Sequence, residues 1–308
     1  MRIKSIAVVL LALVSTLHGG VADHLKKATN KIPPPKMRNV DYTYVINLDK
    51  RPEKFEQCVK QLEPYGIRPY RFSAVNGWEL TLAQINDLGV VLTDKMDSGK
   101  WGTYYPMDGD GKYGTHEIVS VIGRNYFSHC MSRGAIGICL SHLSVLKDAL
   151  DSGYETIWVM EDDIHVLKNP HMISTLIDRL DATVGKKGWD ILFTDRDTKN
   201  QKGEYVPCRG HAWRPNFTPP NPSRFAQEKR VGNLFRKIGA RFGAYSMIVR
   251  RSGMQKIYNF LAHNGIFLPF DLEFYQPGDI RLYTVQNDVV STLINALSDN
   301  GAPRYKEK

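Results

Sequence analysis

Thr156-Ile157-Trp158-Val159-Met160-Glu161-Asp162-Asp163 decides how this chain is read. A continuous apolar run of strand length ends in three consecutive acids. A run without a polar face belongs to a strand covered on both sides, as in a mostly parallel sheet. Open α/β sheets collect their ligands beyond the carboxyl ends of the strands, where these acids stand. Clustered carboxylates repel one another unless something positive joins them. One or two carboxylates completed by substrate phosphates are a usual set for a hard divalent cation. Glu161 and Asp163 are therefore candidate ligands for Mn2+ or Mg2+. In extended chain these two point the same way and Asp162 the other. A solvated acidic turn at a strand end would carry the same residues.

On the amino-terminal side, Tyr42 to Leu48 reads as a buried strand, β-branched and aromatic throughout. Asp49-Lys50-Arg51-Pro52 is a turn, with Pro52 suited to a first helical turn. Phe55, Val59 and Leu62 recur at helical spacing, Gly66 ends that helix, and Pro69 to Val75 is a second strand. Strand, helix and strand in so short a span make a βαβ unit. Ile136 to Leu150 is helical by period, and Met172 to Leu180 again. Trp189 to Thr194 and Gly243 to Val249 have strand character, and Ser252 is placed to cap a helix reaching Leu261. Ile280 to Val285 reads as a strand and Asp288 to Leu297 as a closing helix. Two stretches, 94–128 and 196–241, lack periodicity and read as irregular excursions. The second carries many prolines and much of the basic charge; long unstructured loops are commonly functional. Pro106 to Gly111, with Glu117 at the twelfth place, partly mimics a calcium loop but lacks its first acid. The class is α/β, a single domain over 42–300 with a tail at 301–308.

The order Val45-Ile46-Asn47-Leu48-Asp49-Lys50-Arg51, Gly134-Ala135-Ile136-Gly137-Ile138-Cys139-Leu140-Ser141-His142, Val159-Met160-Glu161-Asp162-Asp163 resembles glycosyltransferase family 25. That family includes lipooligosaccharide sugar transferases and collagen galactosyltransferases. Gly243-Ala244-Tyr245 and Pro269-Phe270-Asp271 look like its later segments, so the resemblance spans roughly residues 42 to 290. It implies a GT-A-type nucleotide-sugar fold, a central mostly parallel sheet flanked by helices. It also implies a UDP-sugar donor, often UDP-galactose, a manganese-type ion, inversion at the anomeric carbon, and a glycan or protein acceptor. Glu161 and Asp163 take the place of the acidic metal motif, with Asp162 beside them. Asn47, Asp49 and Arg51 fall where the nucleotide is expected. Gly134 and Gly137 open a helix that favours anions at its start. Ser141 and His142 share that helix. A base must take the acceptor hydroxyl's proton; Asp271 is the first choice, with Asp195 and Asp197 as rivals.

The chain has 308 residues, a net charge of +9, 42% apolar and 24% charged residues. These values exclude a disordered chain, a collagen-like repeat and a polytopic membrane protein. The four cysteines exclude a disulfide-dense scaffold, and no Cys-x-x-Cys pair speaks for zinc. Cys58 and Cys139 lie in helical patterns and read as buried small hydrophobes. Residues 1–22 read as a secretory signal peptide: basic Arg2 and Lys4, an apolar run from Ile6 to Leu17, and small residues at Gly20-Val21-Ala22. Residues 23–41, with Pro33-Pro34-Pro35, read as a stiff leader outside the core. No second apolar run could span a membrane. The expected place is therefore a secretory lumen, the periplasm or the exterior. Nucleotide sugars suit a secretory lumen better than a periplasm. Asn216-Phe217-Thr218 is a glycosylation sequon hindered by Pro219. Two rival functions stand beside a hexosyltransferase. One is a catalytically inactive relative that binds sugar or protein. The other is a nucleic-acid binder using the basic stretch 196–241, although no nucleic-acid motif is present there.

Overall fold

Helices lie on both sides of one eight-stranded sheet in the computed structural model, which describes residues 20–32, 37–109, 111, 113–296, 299, 301 and 305–307. The strands are β1 (Tyr42–Asn47), β2 (Tyr70–Ser73), β3 (Val90–Val91), β4 (Trp101–Tyr104), β5 (Gly114–Ile118), β6 (Asn125–Ser128), β7 (Thr156–Glu161), β8 (Ile164–Val166), β9 (Ile191–Phe193), β10 (Glu228–Val231), β11 (Phe235–Ile238), β12 (Ser246–Arg250), β13 (Leu282–Val285), β14 (Val290–Thr292) and β15 (Tyr305–Glu307). The helices are α1 (Pro52–Leu62), α2 (Leu82–Leu88), α3 (Arg133–Asp151), α4 (Met172–Val184), α5 (Arg251–Asn264) and the single turn α6 (Phe270–Glu273).

The large sheet runs β10-β11-β13-β9-β12-β7-β1-β2. β1 pairs in parallel with β2 and β7, and β13 with β9, while β12 and β11 run against their neighbours. All strands except β12 and β11 therefore point one way. Their carboxyl ends share one edge, where β12 and β11 begin. The alternation of side chains divides the core in two. Tyr44, Ile46, Ile157 and Val159 meet α3 and α5 on one face. Val45, Trp158 and Met160 meet Ile173, Ile177 and Leu180 of α4 on the other. β1 and all of β7 but its last residue are buried, the condition under which an unbroken apolar run is needed.

Several expectations are corrected. The supposed leader is docked. Leu25 and Ala28 pack on the main core, and Lys31 Nζ donates to Asp148 at 2.6 Å; Val21, from the end of the expected signal peptide, is buried too. Met37 and Val40 are buried as well. Of the expected signal peptide, residues 1–19 lie outside the described residues; Val21–His24 form a 3-10 turn on the domain. The stretch 94–128 holds β4, β5 and β6. These belong to a second sheet, β15-β5-β4-β6-β3, over a small core that includes Val90, Val119, Tyr126 and Phe267. Residues 110 and 112 of the calcium-like loop lie outside the described residues. The stretch 196–241 supplies the β10–β11 hairpin, which extends the large sheet. No helix forms over 288–296: Val290–Thr292 pairs antiparallel with Ile164–Val166 instead. Residues 297 and 298 lie outside the described residues. Ser252 does not cap α5. It lies inside the helix, and its Oγ donates to Asp190 at 2.6 Å.

Candidate active site

The carboxyl ends of β1 and β7 open into a cleft lined by Lys54, Gly77, Trp78, Gly134, Ser141, His142, the three acids and Asp299, among others. The cleft itself has about 100 Å3 of free volume. It continues past Leu48, Ala74, Val75 and Asn76 into a groove of about 490 Å3, whose far wall is Asp23 to Lys26. Together they reach the size usual for small-molecule sites, about 300–1,000 Å3.

β7 ends at Glu161, and Asp162 and Asp163 form a turn before β8. The expectation that Asp162 points away therefore fails, because the chain is not extended there. All three acids face the same cleft. Asn47 Nδ2 donates to Asp162 Oδ2 at 2.7 Å, and Lys54 Nζ lies 3.8 Å from Asp162 Oδ1. Burial pushes the Asp162 carboxyl up, against the hydrogen bond from Asn47. Asp163 is pushed up to about 7, first by burial and then by Glu161 and Asp162. Its Oδ1 is buried with no hydrogen-bond partner. Such an atom, among repelling carboxylates, fits a cation. Among the described residues no group of three or more His, Cys, Asp or Glu side chains is placed to hold an ion alone. Oxygen ligands from a substrate would have to complete the set.

Glu161 borders a second recess of about 190 Å3 that also touches Gly243, Tyr245, Phe270 and Asp271. Glu161 hydrogen-bonds His142 Nε2 at 3.0 Å, and the buried His142 ring stacks on Phe270 at 4.1 Å. Asp271 Oδ2 accepts from Gly243 N at 3.1 Å. Burial raises the Asp271 carboxyl; the hydrogen bond from Gly243 N opposes this without cancelling it, and Glu161 adds a smaller rise. A raised carboxylate is a stronger base once ionised.

The remaining sequence candidates divide into those at the cleft and those behind it. Gly134 lines the cleft near the start of α3, where the helix dipole favours negative charge. Gly137 is a packing residue: a Cβ there would stand 2.5 Å from Gly77 N. Ser141 lines the cleft, but its Oγ is occupied, donating to Gly137 O at 2.7 Å and accepting from Val75 N at 2.8 Å. Asn47 is buried and positions its neighbours: it donates to Arg51 O as well and accepts from Arg71 at 2.7 Å. Asp49 is exposed at the outer groove, where hydrogen bonds from Ser73 and then Lys26 and Arg71 hold its carboxyl low. Arg51 faces Asp299 and Glu53. The rival bases are structural. Asp195 is fully buried on Arg241, Tyr245 and Ser291, and Asp197 pairs with Arg236.

Sequence reasoning missed Lys54, Trp78 and Asp299. Lys54 was within reach, since Pro52 starts the helix and Lys54 stands in its first turn. Asp299 had no local signal. It accepts from Lys54 Nζ at 2.9 Å and from Arg51. Burial raises its carboxyl, but these two cations outweigh that and hold it low.

An α/β sheet of this order, with acids at the β7 end and a second recess across Glu161, is a GT-A-like glycosyltransferase architecture. The profile of glycosyltransferase family 25 (LPS biosynthesis protein) matches residues 40–272, and the chain belongs to that family. It is 26% identical over 61% of its length to a glycosyltransferase 25 family member of Aedes aegypti, covering 26% of that protein. It is 25% identical over 66% of its length to the human inactive glycosyltransferase 25 family member 3, covering 29% of that protein. Human procollagen galactosyltransferase 2 is 26% identical over 53% of this chain and 22% of its own length. The chain thus spans under a third of the length of these relatives. Among the described residues no helix is long and apolar enough to cross a membrane.

Proposed function

We propose that this chain transfers a hexose, with galactose favoured, from a UDP-sugar to a hydroxyl of a glycan or protein, with inversion. The reading places it in an exported or lumenal compartment. The observation that carries it is the unpartnered, buried Asp163 oxygen at the end of β7, beside Glu161, Asp162 and Lys54. Asp163 and Glu161 would hold Mn2+ or Mg2+, which would supply charge neutralisation to the departing diphosphate. Lys54 adds a fixed positive charge on the same side. The start of α3 at Gly134 adds a partial one. Asn47 holds Asp162 in place, and its hydrogen bond opposes the upward push of burial on that carboxyl. Across Glu161, Asp271 takes the proton of the acceptor hydroxyl at its carboxylate, and the Gly243 N–H holds that carboxylate in position. His142, stacked on Phe270, fixes Glu161 between the two recesses.

A non-catalytic sugar- or protein-binding role is the second reading, since one of the relatives just described is named inactive. Turnover separates the two. Residues 20–308 are assayed for UDP release from a panel of UDP-sugars, with Mn2+, Mg2+ or EDTA. The expected result is release from one donor, abolished by EDTA and by Asp163→Asn. Metal-dependent UDP binding without release from any donor, with glycan and peptide acceptors present, would support the binding role. Neither binding nor release would overturn the nucleotide-sugar reading.

A further inference from the structure

The edge of the sheet that carries the three acids continues past the second recess to a third one. β9 ends there and leads to Arg196, β13 leads to Gln286 and Asn287, and the β10–β11 hairpin turns there. These elements enclose a recess of about 520 Å3 lined by Arg196, Arg230 and Arg236, with Glu228 as its one acid. In the hairpin, Arg230 stands directly opposite Arg236, and Lys229 directly opposite Lys237. Like charges in register destabilise a strand pair, so the arrangement calls for a negative partner. Arg236 has two: it donates to Glu228 at 2.9 Å and lies 3.3 Å from Asp197. Among the described residues the Arg230 side chain bonds Gly232 O and Asn233 Oδ1, both neutral, and Arg196 lies over the Tyr205 ring. Among the described residues no carboxylate is within ion-pair distance of Arg196 or Arg230, and both are exposed. Charges on an edge strand guard against unwanted pairing. That accounts for Lys229, but not for Arg196, which arrives from another strand and converges on the same recess.

The order β7-β12-β9-β13-β11-β10 sets the distance. Neighbouring strands lie about 4.8 Å apart, so the recess is roughly 10–24 Å along the edge from the acids, with the Asp271 recess between. We propose that this recess binds an anionic group, a carboxylate or phosphate, carried by an oligosaccharide acceptor. The acceptor hydroxyl would then reach Asp271 from the opposite end. Guanidinium groups suit such oxyanions through paired, charge-assisted hydrogen bonds. The inference rests on the transferase reading for the word acceptor, but the anion site itself does not.

Binding is therefore measured directly by calorimetry on the full chain, without donor. The probes are a glucuronate-containing tetrasaccharide, glucose 6-phosphate and a neutral tetrasaccharide. The charged probes should bind and the neutral one should not. Whichever charged probe binds more tightly identifies the source of the anion. The double variant Arg196→Ala/Arg230→Ala should lose at least tenfold in affinity with unchanged thermal stability. Glu228→Gln should gain several-fold, a result that misfolding cannot produce. Saturating uridine, which carries no anionic group, should not displace the probe. Equal binding by wild type and the double variant, displacement by uridine, or equal binding of the neutral probe would overturn the proposal. Charged-probe binding without any UDP-sugar turnover would leave the anion site standing and remove the transferase reading.

Discussion

Replacing Asp163 by Asn should stabilise the ion-free protein and cost it its nucleotide chemistry. The Asp163 carboxyl is raised from 3.8 to about 7 by burial and by Glu161 and Asp162. The folded state therefore holds this proton more tightly than the unfolded chain does. Stability falls as pH rises from about 4 to about 7 and is level above that. Three units at 1.36 kcal/mol each make the penalty about 4 kcal/mol at pH 8, and close to nothing at pH 4. The variant keeps the shape, and its amide leaves the same buried position without a partner, so the difference reports charge. At about 2–4 °C per kcal/mol, Tm in EDTA should rise by on the order of 10 °C at pH 8. The rise should shrink through pH 6 and vanish near pH 4. Calorimetric melts of both proteins across that range check it. A shift independent of pH, or a loss of stability at pH 8, would refute the argument that repulsion at this carboxylate is built into the fold.

Three further outcomes are expected. Asp271→Asn should lower kcat by about 10²–10⁴-fold while leaving the KM for the donor near wild type, as for loss of a general base. A change confined to donor KM would move the base elsewhere. Asp299→Ala removes the carboxylate from Lys54 and Arg51 and should tighten UDP binding about tenfold by calorimetry. Weaker binding would make Asp299 part of the nucleotide site. Arg214 and Glu273 are both fully buried and paired, and Glu273 Oε1 also accepts from Phe267 N and Leu268 N. Glu273→Gln strands the Arg214 charge and should cost about 3–5 kcal/mol in chemical denaturation. A cost below about 1 kcal/mol would mean that the pair contributes little to seating the 196–241 excursion on α5.

Features encoded by neighbouring residues were legible in the sequence. β1 and β7 announce themselves because strands buried on both faces have no polar positions to spare. α3 shows its helical period, and the acids follow their strand directly. Features that depend on distant partners were not. Asp288 to Leu297 reads as a helix, yet Ile164–Val166, far back in the chain, offers Val290–Thr292 a strand to pair with. Residues 94–128 are rich in Gly, Asp and Tyr and look like a loop, but strand propensity depends on the surface a strand packs against. Asp195 and Asp197 stand as rivals to Asp271 in the sequence because nothing local shows that Arg241 and Arg236, from the excursion, pair with them. Val21 reads as part of a signal peptide and Leu25 as part of a leader, and only their packing against the core shows that both belong to the domain.

The reversed direction of β12 has an effect on how such a chain can change over generations. Because β12 enters the sheet at the edge where β9 leaves it, residues 196–241 begin and end at neighbouring points. A stretch of that kind can lengthen in its exposed turns at little cost, because doubling its length adds only about 0.6 kcal/mol of closure entropy. Its anchors are less free to change: Arg214 and Arg241 are buried on Glu273 and Asp195 of the surrounding fold. Lineages could therefore vary the turns between these two arginines while keeping the arginines themselves.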